Sequence, residues 1–267
     1  METSLSDPAR IAFEREGSGK DLLLIHGLGG NRDSFRPISE MLSAQRTLIK
    51  IDLPGHGESF PQEGSGTFAG LADQIEQFLG ENGLERIDMV GSSLGARLVL
   101  AMARRGKSGN VVALDPGGFW EGWERKFFAT TIGASIGLLR MLGPGLGRLA
   151  RNPLSRSVLL AQLSARPWAL DGNTVAAELK SYVGTSTFDA LVTDLASGPT
   201  QHGPAAAGSG RIVIGWGRHD RLCLARQAKR AVAQFPSARL HWFEQSGHFP
   251  MWDEPEATAK LILASTG

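Results

Sequence analysis

The stretch Ile87-Asp88-Met89-Val90-Gly91-Ser92-Ser93-Leu94-Gly95, running on into Ala96 to Arg105, decides how this chain is read. Ile87 to Val90 predicts the end of a strand. Leu94 to Arg105 predicts a helix, because Leu94, Leu98, Ala101 and Met102 share a face and Val99 and Leu100 are also apolar. The pentapeptide between them is a G-x-S-x-G corner, a turn so sharp that its serine is forced into a strained backbone conformation with the hydroxyl exposed above the sheet. Gly91 and Gly95 let strand and helix approach without a Cβ clash. The N–H of Leu94, at the helix start, points toward any negative charge forming beside Ser93. A plain turn whose serines cap a helix would read the same over five residues, so the rest of the chain must discriminate.

Outward from this corner, short apolar runs alternate with amphipathic helices. Strands are predicted at Ile11–Phe13, Leu22–Ile25, Thr47–Ile51, Ile87–Val90 and Val111–Leu114, and helices at Phe35–Ser43, Phe68–Asn82 and Leu94–Arg105. Continuous apolar strands alternating with helices predict an α/β fold: a mostly parallel central sheet with helices on both faces. The rhythm stops at Pro116-Gly117-Gly118. From Phe119 to about Ser197 only helical segments recur, punctuated by Gly143-Pro144-Gly145, Asn152-Pro153 and Arg166-Pro167. Gly203 to Gly210 reads as a linker. Strands resume at Arg211–Gly215 and Arg239–Phe243, with helices at Ala225–Phe235 and Pro255–Ala264. The expected organisation is a core of residues 1–117 and 203–267 with a helical insertion at 118–202.

Composition narrows the class. The chain has 267 residues, 42% hydrophobic and 21% charged, with a net charge of +1. So balanced a charge argues against nucleic acid as a partner. A single cysteine, Cys223, excludes an internal disulfide framework. Met1 to Arg10 is polar, without the apolar run of a signal peptide, and no stretch approaches eighteen uninterrupted apolar residues. The expectation is a cytoplasmic protein without a membrane span.

A serine hydroxyl needs a base, and a histidine held by a carboxylate is the usual solution. His248 lies in Ser246-Gly247-His248-Phe249-Pro250, just after the last predicted strand. Asp220 lies in Gly217-Arg218-His219-Asp220, just beyond the strand Arg211–Gly215. The order Ser93, Asp220, His248 fits the G-x-S-x-G corner, and each residue follows the carboxyl end of a strand, where open α/β sheets place their sites. An oxyanion needs donors. One is the N–H of Leu94; the other is expected from Leu28, in His26-Gly27-Leu28-Gly29-Gly30 after the strand Leu22–Ile25. A dinucleotide reading of that loop fails because Arg32 stands where the third glycine is required. Gly17-Ser18-Gly19-Lys20 likewise fails as a phosphate loop: it precedes a strand, and Asp21 stands where Ser or Thr is needed. No cofactor and no metal are expected.

His26-Gly27, Asp52-Leu53-Pro54-Gly55-His56-Gly57-Glu58-Ser59, the Ser93 corner, Trp216-Gly217-x-x-Asp220 and Gly247-His248 before Glu254-Pro255 together make the chain resemble the α/β-hydrolase superfamily, in the group with a helical cap. The resemblance implies that Asp52–Ser59 is a structural turn, which leaves His56 outside the chemistry. It also makes Asp115, after the strand Val111–Leu114, an alternative to Asp220 as the triad acid. Relatives with aspartate at the corner form alkyl esters. Ser93 implies instead an acyl-enzyme, and so a carboxylic ester, a lactone, a proline-type amide or a carbon–carbon ring-cleavage product as substrate. Acyl transfer to another acceptor, and a non-catalytic ligand-binding protein on the same fold, stay open.

The insertion carries Trp120, Trp123, Phe127, Phe128, Leu138, Leu139, Met141, Leu142 and Trp168. Most are expected to pack its helices. Phe119 and Trp120, next after the catalytic edge of the sheet, are the expected substrate-binding residues. Arg125, Lys126, Arg140, Arg148, Arg151, Arg156 and Arg166 outnumber Glu121 and Glu124. They read as a solvated face or as a positive rim drawing in an anionic substrate. The partner is thus a small acyl compound, anionic or apolar; the oligomeric state is not legible.

Overall fold

The computed structural model describes the backbone of residues 2–3 and all of residues 11–267. Most of the polar segment Met1–Arg10 therefore lies outside the described residues. Along the chain come β1 (Glu2–Thr3), β2 (Phe13–Gly17), β3 (Lys20–Ile25), α1 (Arg36–Ser43), β4 (Arg46–Ile51), α2 (Phe68–Glu81), β5 (Asp88–Ser92), α3 (Leu94–Arg104) and β6 (Val111–Leu114). Helices α4 (Glu124–Leu142), α5 (Leu146–Arg151), α6 (Pro153–Leu159), α7 (Gly172–Gly184) and α8 (Phe188–Ser197) follow. The chain closes with β7 (Ile212–Gly217), α9 (Gln227–Gln234), β8 (Arg239–Phe243), α10 (Pro250–Asp253) and α11 (Pro255–Ser265).

The strands form one sheet in the order β1-β2-β4-β3-β5-β6-β7-β8. β2 runs antiparallel to β1 and β4, and every pairing from β4 through to β8 is parallel. Alternation along the strands sorts the core. Leu23, Ile25, Ile49, Met89, Ala113 and Ile214 pack on one face with Ile75 of α2, Leu98 and Met102 of α3 and Ala231 of α9. Leu22, Leu24, Leu48, Val90, Val112 and Val213 pack on the other with Ile38 and Leu42 of α1 and Ile262 of α11. A sheet apolar on both faces needs helices on both, and it has them.

Three differences from the sequence reading have local causes. The first predicted strand, Ile11–Phe13, shifts to Phe13–Gly17. There Glu14 and Glu16 flank the buried Lys50 ammonium at 3.6 and 3.1 Å, a pairing invisible to a hydrophobicity pattern. The turn of helix at Pro250–Asp253 was too short to show a periodicity. One helical run, Glu124–Arg151, is long and apolar enough to cross a membrane by length and composition, with a mean hydropathy of 1.2. Its apolar character is interrupted by Arg140 and by the 3₁₀ turn Gly143–Gly145, so it holds no uninterrupted apolar stretch of that length.

Between β6 and β7 the described residues form helices and no strand. Capping explains where these helices begin: Asn152 accepts from the N–H groups of Leu154 and Ser155 with Pro153 at the first position of α6, and Asp171 accepts from Thr174 at the start of α7. α4 packs on α7 and α8, and α5 on α7. The helices cover the ends of β5, β7 and β8, where the candidate site lies.

Candidate active site

Ser93 joins β5 to α3 at φ 55° and ψ −110°, a conformation costly for a residue with a Cβ. Its N–H donates to Leu114 O at 2.9 Å, fixing the corner against β6. A Cβ on Gly91 would lie 2.2 Å from Gly95 O, and one on Gly95 2.0 Å from Ile25 O, so both positions exclude any side chain.

His248 is fully buried. Its Nε2 lies 2.8 Å from Ser93 Oγ and its Nδ1 2.8 Å from Asp220 Oδ2. Asp220 Oδ1 accepts the N–H groups of Leu222 and Cys223 at 2.8 and 2.9 Å. The carboxylate therefore has a fixed face toward the imidazole. An acceptor at Nδ1 puts the ring proton there and leaves Nε2 free to take the serine proton. The histidine turn is anchored to the insertion. His248 N–H donates to Leu163 O at 2.9 Å, while Asp253 accepts from Gly247 N–H, Ala165 N–H and Ser164 Oγ at 2.7, 2.8 and 2.5 Å.

Asp115, the alternative acid, lies against Asp220 and makes no hydrogen bond to His248. Its Oδ1 accepts from Gly217 N–H at 2.8 Å. Burial first, and the charge of Asp220 second, hold its carboxyl well above the usual carboxylate range.

The loop after β3 is held by His26. Its Nε2 accepts from Leu53 N–H at 2.9 Å, so the proton sits on Nδ1 and is donated to Gly27 O at 2.7 Å. Burial lowers its pKa to about 4, which keeps the ring neutral. His56 packs against it, and burial lowers its pKa to about 3. Among the described residues neither Leu28 N–H nor Leu94 N–H is engaged by another group, and both residues line the same cavity as Ser93 and His248.

That cavity holds about 80 Å³ and is walled by Trp120, Phe128, Ile136, Leu139 and Phe249 beside the Ser93–His248 pair. It would admit roughly six waters or a slim chain of about as many carbons. Trp120 thus borders the cavity as expected. Phe119 does not. Its ring packs edge-on against Phe235 at 6.5 Å within the core beneath α9, and its carbonyl accepts from Arg230 at 2.7 Å.

The expected positive rim also disperses. Arg156 is buried and donates to the carbonyls of Pro167, Ala150, Arg151 and Trp168; Arg140 pairs with Asp189, Arg151 bonds Asn173, and Arg166 bonds the Asp253 carbonyl. None of the seven cations borders the cavity. The arginine that does is Arg97 on α3. Its signal in the sequence is a cation in the otherwise apolar run Leu94–Ala103, four residues after Ser93. Asp253 gave no signal, because its partners lie in the insertion.

Asp220, Cys223 and His248 bring ligand atoms within 4.8 Å of one another, a grouping that could hold a metal ion. The donor chemistry fits poorly: Nδ1 and Oδ2 already bond each other, and burial pushes the Cys223 thiol well up, so it is no ready thiolate.

The profile of the alpha/beta hydrolase family matches residues 22–261. The chain is 28% identical over 267 residues to the dihydrolipoyllysine-residue acetyltransferase component of an acetoin cleaving system from Cupriavidus necator, covering 98% of this chain and 67% of that protein. It is 24% identical to a 2-hydroxy-6-oxononadienedioate/2-hydroxy-6-oxononatrienedioate hydrolase from Cupriavidus pinatubonensis, over 97% of this chain and 91% of that one. In fold it is similar to a thermophilic esterase from Thermogutta terrifontis, with a TM-score of 0.73, 21% identity and coverage of 95% and 92%.

Proposed function

The chain belongs to the alpha/beta hydrolase family, and from that premise we propose that it is a cofactor-independent serine hydrolase that cleaves a carboxylic ester through an acyl-enzyme. The observation that carries this reading is the unbroken chain from Asp220 Oδ2 through both imidazole nitrogens to Ser93 Oγ, each link 2.8 Å, opening on an apolar cavity. Ser93 Oγ attacks the acyl carbon while its proton passes to His248 Nε2. The oxyanion is received by the N–H groups of Leu28 and Leu94. His248 returns the proton to the leaving oxygen as the C–O bond breaks. A water then attacks the acyl carbon and gives its proton to His248, which passes it to Ser93 Oγ as the acyl–Oγ bond breaks and the acid leaves. Residues 118–202 act as the cover that shuts solvent out of this chemistry.

A second reading, hydrolysis of a carbon–carbon bond, draws on the Cupriavidus pinatubonensis relative, whose name states an activity on dioate substrates. The same nucleophile and base would serve, with a carbanion as leaving group in place of an alkoxide.

Treatment with a fluorophosphonate probe tests the nucleophile. Labelling at Ser93 is expected, with ester turnover falling by about 10⁶ in Ser93→Ala. Folded protein that neither takes the label nor turns over any p-nitrophenyl ester would sink the reading in favour of a binding protein.

A further inference from the structure

Arg97 follows Ser93 by one helical turn and donates its backbone N–H to Ser93 O at 3.0 Å. Its side chain is only 3% exposed and borders the cavity that holds Ser93 and His248. The guanidinium lies over the Phe68 ring at 4.1 Å. Two of its nitrogens are used: Nη2 donates to Pro199 O at 2.6 Å and Nε to Gln201 Oε1 at 3.3 Å. Nη1 is buried and meets no acceptor among the described residues. Among the described residues no carboxylate pairs with the group either. Asp194, the acid whose charge it feels most, has Oδ2 engaged with Phe68 N–H at 2.8 Å. Burial lowers the pKa of Arg97 to about 10, which still leaves it a cation at neutral pH. A second cation, Arg125, stands 6.0 Å from the Trp120 ring, and Arg97 lies 5.8 Å from the same ring.

A buried charge without a counter-ion is expensive. Tying the Pro199–Gln201 segment to α3 requires hydrogen bonds but not a charge. A guanidinium whose Nη1 amino group is spare, in a cavity with apolar walls, matches a carboxylate in charge and can donate to it. We propose that Arg97 is the receptor for a carboxylate carried by the substrate a short chain away from the scissile carbonyl, so that the cavity selects anionic acyl compounds. The proposal rests on the serine-hydrolase reading above and specifies its substrate class. The apolar wall from Phe128 to Leu139 takes the methylene spacer, and Arg97 takes the charge at its end.

The test compares p-nitrophenyl monoesters of dicarboxylic acids with matched neutral p-nitrophenyl esters over a series of chain lengths, using the wild type, Arg97→Gln and Arg97→Lys. For at least one length the wild type should favour the anionic ester by about tenfold or more in kcat/KM. Arg97→Gln should lower that anionic-to-neutral ratio about thirtyfold, mostly through KM, and Arg97→Lys should restore part of it. Because the site is buried, the wild-type preference should survive added salt, which would erase surface steering. A wild type that favours the neutral ester at every length overturns the proposal, as does a folded Arg97→Gln protein with an unchanged ratio. Should Arg97→Gln fail to fold, the wild-type series and Arg97→Lys decide. Ser93 labelling with turnover of neutral esters but no anionic preference rejects Arg97 alone; absence of both labelling and turnover rejects the hydrolase reading itself.

Discussion

The edge of the sheet that holds Ser93, Asp220 and His248 and the helical block between β6 and β7 are built on different principles. At the edge, Ser93, Asp220 and His248 each follow a strand, and backbone hydrogen bonds fix them: Ser93 N–H to Leu114 O, Asp220 Oδ1 under Leu222 and Cys223, His248 N–H to Leu163 O. In the insertion, position is set by side-chain packing of Phe128, Ile136 and Leu139 on α4 against α7 and α8. An edge of this kind tolerates almost no change. Packed apolar walls can exchange one shape for another. The two parts meet at the histidine turn, where His248 N–H donates to Leu163 O and Asp253 accepts from Ser164 and Ala165.

The comparison breaks most visibly at the acid. Asp220→Asn should lower kcat by up to about 10⁴, since the imidazole loses its fixed tautomer. Asp115→Asn replaces a buried acid that makes no hydrogen bond to His248 with a near-isostere and should stay within a few-fold of wild type. Steady-state rates on one neutral ester check both, and a collapse of Asp115→Asn with Asp220→Asn spared would reverse the assignment.

A cavity change should alter preference and leave the chemistry in place. Phe128→Ala should move the best acyl chain toward greater length, by about tenfold in relative kcat/KM, with fluorophosphonate labelling of Ser93 retained. A variant that loses labelling instead would mean that the insertion positions the triad as well as the substrate.

The smallest effect concerns how the two regions are joined. Glu178 on α7 is buried and accepts from Ser34 Oγ at 2.8 and 3.0 Å, linking the insertion to the segment after the Leu28 loop. Burial raises its pKa from 4.5 to about 7. The folded state thus holds a proton that the unfolded chain releases. The resulting stabilisation, on the order of 3 kcal/mol, is fully present below pH 4.5 and is lost as pH rises through 7. The melting temperature of the wild type should fall across that window, and Glu178→Gln should flatten the fall. A slope identical in both proteins would place the titration elsewhere.

What could be read without coordinates was what the backbone dictates. Gly91 and Gly95 are required by contacts near 2 Å, so the corner at Ser93 appears as a pattern in one dimension. Strand ends followed by Asp220 and His248 left equally local marks, and alternation announced a sheet covered on both faces. The sequence could not tell that Phe119 turns into the core while Trp120 borders the cavity, that Arg156 spends itself on carbonyls, or that Asp253 ties the histidine turn to Ser164. Nor could it show that Arg97, which borders the same cavity as Ser93, is left with an unpaired amino group. Those outcomes depend on which distant side chains arrive at one place. Local chain geometry writes itself into spacing and glycine. Burial, pairing and cavity shape are properties of the packed whole, and only the tertiary structure decides them.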